Sequence, residues 1–192
     1  MVSLPRILRY YFMRRLFSLL FTLIISLTLF AQSRRAVELS TDVTMFVPSL
    51  AGAVVAIIEK DYEGMWQLVG SGATSIAAAY ALKYTISKER PDGSDNHSFP
   101  SNHAGVAFAG ATFLQQRYGW KYALPAYLVG AYTAWGRVYA RRHDAWDVLA
   151  GAAIGTGCAI FFTTPFAREH NVSLVPFATQ RGDAGVHLSA TF

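Results

Sequence analysis

Two histidines, one well-placed carboxylate and three strong cations fall in three short polar clusters of an otherwise apolar chain. The first runs from Lys83 to Pro91. Lys83 and Arg90 stand seven positions apart, about two turns along one face of a helix. Pro91 biases Arg90 away from helix, so a helix should end there. The second cluster is Pro100-Ser101-Asn102-His103. It reads as a helix start capped by Ser101. Free N–H groups in a first turn, with the helix dipole, bind a phosphate. A histidine there can give a proton to a leaving oxygen. The third cluster runs from Gly136-Arg137 through His143 to Asp147. If a helix begins near Asp144, His143 and Asp147 stand one above the other. A carboxylate on Nδ1–H would fix the tautomer and leave Nε2 free to attack phosphorus. Asp144 is the rival partner, but as a cap its oxygen is better used on backbone N–H. Taken singly, the clusters read as a basic helix end, a capped helix with an exposed histidine, and a basic interfacial loop. Together they point to phosphoryl transfer through a histidine.

The elements that must position these residues are apolar. Hydrophobic residues make up 53% of the 192 positions and charged residues 15%, against about 25% charged in ordinary soluble domains. The length fits one domain with a short appendage. The formal charge is +5. The cations crowd the N-terminus and the three clusters instead of forming a basic stripe, which argues against nucleic acid as a partner. Cys158 is the single cysteine, so no internal disulfide exists, and its Gly/Ala surroundings mark it as a small core residue.

Six apolar segments follow one another: 16–31, 43–58, 65–82, 101–116, 120–135 and 147–166. Several are shorter than the roughly 20 residues of a membrane span, so a soluble helical bundle is the competing architecture. Trp66, Trp120, Trp135 and Trp146 lie at segment ends, where interfacial aromatic belts sit, and favour lipid. Residues 1–31 form a signal anchor or first transmembrane helix, with a cleaved signal peptide as the alternative. Either keeps the N-terminal arginines cytoplasmic. Six spans then put all three clusters on one outer face. Residues 31–42 read as a polar link ending in helix-cap residues Ser40-Thr41-Asp42. His97 reads as a loop residue, Lys88 as lying on another side of its helix, and Arg141 and Arg142 as facing headgroups or solvent. Period-two alternation in 172–174 and 186–192, around Arg181-Gly-Asp-Ala-Gly185, predicts a hairpin. The expected fold is all-α: a six-helix, transmembrane bundle over 32–167 and the preceding segment, with a short C-terminal β-hairpin in 168–192.

As a set, the clusters closely resemble the type 2 phosphatidic acid phosphatase family, which shares its pocket with vanadium haloperoxidases and bacterial class A acid phosphatases. That family's motifs are Lys-x6-Arg-Pro, Pro-Ser-Gly-His and Ser-Arg-x5-His-x3-Asp. They match at Lys83, Arg90 and Pro91, at Pro100, Ser101 and His103, and at Arg137, His143 and Asp147. The resemblance covers about residues 43–166. Asn102 replaces the motif glycine and Gly136 the motif serine, which implies weaker or narrower activity. The resemblance implies that His143 attacks phosphorus, that Asp147 orients it, and that His103 protonates the leaving oxygen and later activates water. It implies that Lys83, Arg90, Arg137, Ser101 and the Asn102 backbone N–H hold phosphate oxygens. No metal and no cofactor is expected, because the cations supply the charge. The expected substrate is a lipid phosphate or pyrophosphate, met at the periplasmic face of a bacterial inner membrane. The alternatives are a secreted phosphatase acting on soluble esters, a vanadate-dependent oxidant, and a lipid-phosphate binding protein without turnover.

Overall fold

The computed structural model describes residues 15, 18, 22, 34–166, 172–178 and 184–190. Most of segment 16–31, on which the choice between anchor and cleaved signal rests, lies outside the described residues. The described body is all-helical. Its first stretch, Arg34–Glu59, is interrupted at Met45 and Phe46 into α1 (Arg34–Thr44) and α2 (Val47–Glu59). Then follow α3 (Tyr62–Thr85), α4 (Asn102–Tyr118), α5 (Trp120–Tyr139) and α6 (Ala145–Phe162). Beyond them, Val172–Ala178 runs antiparallel to Ala184–Ala190, with Val172 opposite Ala190.

The link expected over 31–42 is instead helical from Arg34, and Asp42 lies inside α1 instead of capping α2. Val37, Ser40, Thr41 and Thr44 are its buried residues, at the spacing of one helix face. Three of these four are hydroxyl residues, so the stripe escapes a hydropathy reading. The Ser40 hydroxyl meets the Tyr132 hydroxyl at 2.7 Å, and Thr44 meets Thr133 at 2.9 Å. These bonds fasten α1 to α5.

Helix α4 is the centre of the bundle and packs against α2, α3, α5 and α6. Its residues from Ala104 to Leu114 are mostly Ala, Gly and Val, and nearly all are buried. A helix apolar on every side is one that other helices surround. The α4–α6 crossing depends on glycines. A Cβ on Gly151 would run into the Ser101 carbonyl, and one on Gly155 into the Gly105 carbonyl. Gly157, by contrast, faces open space. The far end of the bundle is closed by a buried ion pair, Asp61 with Arg117, at 2.6 Å. Phe113, Leu114, Val55 and Leu68 form the apolar core beside it.

Among the described residues, two stretches, Arg34–Glu59 and Ala145–Phe162, are long and apolar enough to cross a membrane. Trp66 and Trp120 start α3 and α5 at one end of the bundle. Trp135 and Trp146 lie at the other end, and all four are exposed. That second end is where α3 and α5 finish and α4 and α6 begin. The chain order therefore delivers Lys83, His103, Arg137 and His143 to one place.

Candidate active site

A cavity of about 400 Å³ opens at that end, and Lys83, Arg90, Asn102, His103, Arg137 and His143 all line it. The loop after α3 runs back over the bundle end. Arg90 sits there, outside the helix, with Nε held by both oxygens of Asp95 at 2.7 and 2.8 Å. Its Nη1 donates to the Arg142 carbonyl at 3.1 Å and lies 3.4 Å from His143 Nε2. Lys83 is buried in the last turn of α3, and its Nζ donates to the His97 carbonyl at 2.8 Å.

His143 stands just before α6, whose cap is Asp144. The Asp144 side chain accepts from the Asp147 N–H at 3.0 Å, and Asp147 accepts in return from the Asp144 N–H at 2.9 Å. Helix α6 thus starts where the chemistry requires. The His143 side chain is 2% exposed. Burial, then the charges of Arg90, Lys83 and Arg137, push its imidazole down to about 3. At neutral pH His143 therefore carries a free ring lone pair, as a nucleophile must.

Asp147 is fully buried behind His143 and does not line the cavity. The expected hydrogen bond from Nδ1 is not made: Nδ1 and Asp147 Oδ2 are 3.6 Å apart. The carboxylate is instead taken by the Ser98 hydroxyl, the Asp144 N–H and Lys88 Nζ at 2.7 Å. Lys88, placed by the sequence on another side, also binds Asp144 at 2.6 Å. Although partial burial opposes it, these bonds hold the Lys88 ammonium above its ordinary value. Ser101 is likewise fully buried. Its Oγ faces the Ala104 N–H at 3.5 Å, and its N–H donates to the Asp147 carbonyl at 2.9 Å. Its hydroxyl stands behind the cavity wall, while the α4 N-terminus that it caps points to the site.

His103 Nε2 and Arg137 Nη1 meet the same atom, Asp42 Oδ1, each at 2.8 Å. Asp42 and Glu38, one turn apart on α1, also line the cavity, as do Tyr80, Tyr84, His97 and Arg142. Sequence reasoning missed these acids because α1 was read as a link. The hydroxyl stripe at 37, 40, 41 and 44 was the signal that could have found them. Arg142 turns inward to Glu38 at 3.2 Å and Asp92 at 2.9 Å, not outward to headgroups. Its carboxylate partners lie far off in sequence, on α1 and in the loop after Pro91. Four buried polar atoms of the lining residues make no hydrogen bond among the described residues: Asn102 Oδ1, Arg137 Nε, Arg142 Nε and His143 Nδ1. Four cations around one cavity, with an unused guanidinium N–H on Arg137, fit an anion of phosphate size. No group of His, Cys, Asp and Glu among the described residues could hold a metal ion.

The model of the PAP2 superfamily matches residues 64–170. The chain is 33% identical over 136 residues to the lipid A 4'-phosphatase of Helicobacter pylori, spanning 65% of this chain and 68% of that protein. It is 42% identical over 105 residues to the lipid A 1-phosphatase of Porphyromonas gingivalis, spanning 49% of this chain but 24% of that protein. Among solved structures, Aquifex aeolicus LpxE superimposes with a TM-score of 0.55 at 21% identity, over 65% of this chain and 83% of that one. The phosphatidylglycerolphosphate phosphatase of Bacillus subtilis also gives 0.55 at 21%, over 71% and 79%. At that identity the two structures speak to the fold.

Proposed function

The chain belongs to the PAP2 superfamily, and we propose that it removes a phosphate from a lipid through a phosphohistidine on His143, at the outer face of a bacterial inner membrane. It is a phosphatase, a phosphoric monoester hydrolase, and lipid phosphates are its substrate class. The observation that carries the mechanism is the single cavity that gathers His143, His103, Lys83, Arg90 and Arg137. In the first step His143 Nε2 attacks phosphorus, the bond to the leaving oxygen breaks, and His103 gives that oxygen a proton. In the second, His103 takes a proton from water, the water oxygen attacks phosphorus, and the P–N bond breaks. Lys83, Arg90, Arg137 and the Asn102 N–H hold the non-bridging oxygens and carry the charge that Mg²⁺ carries elsewhere. Asp147 offsets the positive charge that develops on His143.

The relatives named as lipid A phosphatases make a phosphate on a lipid A sugar the favoured substrate. The two levels of exposed tryptophan support a multi-pass body with the cavity at the level of Trp135 and Trp146. The test is phosphate release by detergent-purified protein, wild type beside His143→Ala, with EDTA present. Lipid A, phosphatidate, a polyprenyl pyrophosphate and water-soluble monoesters form the panel. Release should be greatest from a lipid, vanish in the variant and survive EDTA. An acid-labile, alkali-stable phosphoprotein should be trapped on wild type alone. Preference for soluble esters would reassign the substrate, and no release by folded protein would overturn the enzyme reading.

A further inference from the structure

We infer that Asp42 is a positioning residue for the proton donor, forming with His103 an acid–base pair delivered to the site by α1. This rests on the reading of His103 as the acid. Asp42 lies outside residues 64–170, the part that matches the family model. Its Oδ1 bridges His103 Nε2 and Arg137 Nη1, both at 2.8 Å. Arg137 Nη1 also donates to Thr41 Oγ1 at 3.3 Å. Two consecutive residues of α1 therefore bind the two groups that act on the leaving oxygen and the phosphate.

The seat of α1 explains Gly136, where the family motif has serine. A Cβ on Gly136 would overlap Thr41 Cγ2 and lie 3.1 Å from Val37 Cγ1. The bare backbone lets α1 dock closely, and the Thr41 hydroxyl takes up the guanidinium contact. Docking is completed by Ser40 with Tyr132, Thr44 with Thr133, and Glu38 with Arg142.

His103 must hold a proton to give one away. Burial first, then the charges of Arg137 and Arg90, push the ring well below its ordinary value and disfavour an imidazolium. The Asp42 carboxylate touches it and favours the charged form. It also fixes the ring. With Nε2 bound to Asp42, the proton that reaches the leaving oxygen departs from Nδ1, and the P–O bonding pair becomes the alcohol O–H pair.

The test compares Asp42→Asn with wild type on two monoesters, an alkyl phosphate and p-nitrophenyl phosphate, whose leaving group departs without a proton. General acid catalysis contributes about 10²–10⁴-fold, so kcat on the alkyl ester should fall at least ~10-fold. On p-nitrophenyl phosphate the rate of p-nitrophenol release in the first turnover, before the water step that His103 also serves, should change by less than ~3-fold. In a His103→Ala background Asp42→Asn should add little, because both act through one ring. Asp42→Glu, which keeps the charge, should recover part of the alkyl activity. Equal losses on both esters, or an undiminished kcat with tighter inorganic phosphate binding, would overturn the role and make Asp42 a strut or an obstruction. If the wild type released no phosphate, the phosphatase reading itself would fall.

Discussion

His143 Nδ1 and Asp147 Oδ2 face each other at 3.6 Å, buried and without a hydrogen bond between them. The gap exists because the Ser98 hydroxyl, the Asp144 N–H and Lys88 already hold the carboxylate. The acid is therefore fixed as an ion behind the nucleophile. When His143 becomes positive on attack, a formed anion is waiting, and the ring need move only a few tenths of an ångström to bond it.

Asp147→Asn tests that arrangement. The amide removes the charge but keeps the size. Its NH₂ would also compete with Lys88 and the Asp144 N–H for space. The kcat should drop roughly 10²–10⁴-fold, in the range known for such carboxylate–imidazole pairs. Substrate affinity should change little, since Asp147 does not line the cavity. Parallel measurement of kcat and KM on one lipid separates these, and a loss confined to KM would contradict it.

The depressed imidazole of His143, about 3 in the folded protein against an ordinary value near 6.5, has a signed consequence for stability. Between those values the unfolded chain binds a proton at this residue and the folded chain does not. Stability therefore rises with pH through that window and falls as acid is added. His143→Gln removes this proton uptake and leaves every carboxylate in place. Its thermal midpoint in detergent, relative to wild type, should climb steadily from pH 6.5 to pH 4. Parallel curves would mean that His143 is ordinary.

Chemistry was legible in the sequence where it rests on spacing. Three motifs with fixed internal distances needed only helix ends at Thr85, Ser101 and Asp144 to meet. Serine and aspartate mark the last two. Pro91 points to an end at Arg90, whereas the helix stops five residues earlier, so Lys83 and Arg90 meet through a loop and not along one helix face. Lys88, Arg142 and α1 were not legible. Lys88 reaches Asp144 and Asp147 across more than fifty residues, from a loop of no regular period. Helix α1 hides behind a stripe of hydroxyls that pack as if apolar once they bond to α5. Burial also changed roles. Ser101 and Asp147 match their motif positions yet stand behind the wall, acting on the site through the groups they hold.

Asn102→Gly should widen the site. The Asn102 side chain lines the cavity where the family motif has no side chain, and its Oδ1 is buried without a partner. Removing it frees space beside the phosphate and removes an oxygen that repels phosphate oxygens. Glycine in the first helical turn costs at most about 1 kcal/mol. Inorganic phosphate should inhibit the variant at lower concentration, and bulkier headgroups should gain in kcat/KM relative to small ones. Unchanged inhibition and an unchanged ranking would show that the side chain points clear of the ligand.

The ion pair at the far end separates stability from chemistry. Arg117 Nη2 and Asp61 Oδ1 are 2.6 Å apart, with side chains 0% and 2% exposed. The Tyr118 hydroxyl donates to the same carboxylate, and the Thr164 carbonyl accepts from Arg117. This cluster ties the turn before α3, the end of α4 and the segment after α6 together. Arg117→Leu would leave the Asp61 carboxylate buried without its cation, a loss of about 3–5 kcal/mol. The thermal midpoint in detergent should fall by several degrees. Because Lys83, His103, Arg137 and His143 sit at the opposite end of α3, α4, α5 and α6, kcat per folded molecule at low temperature should stay close to wild type. A variant with unchanged unfolding and a reduced kcat would mean that this end communicates with the catalytic one through α4.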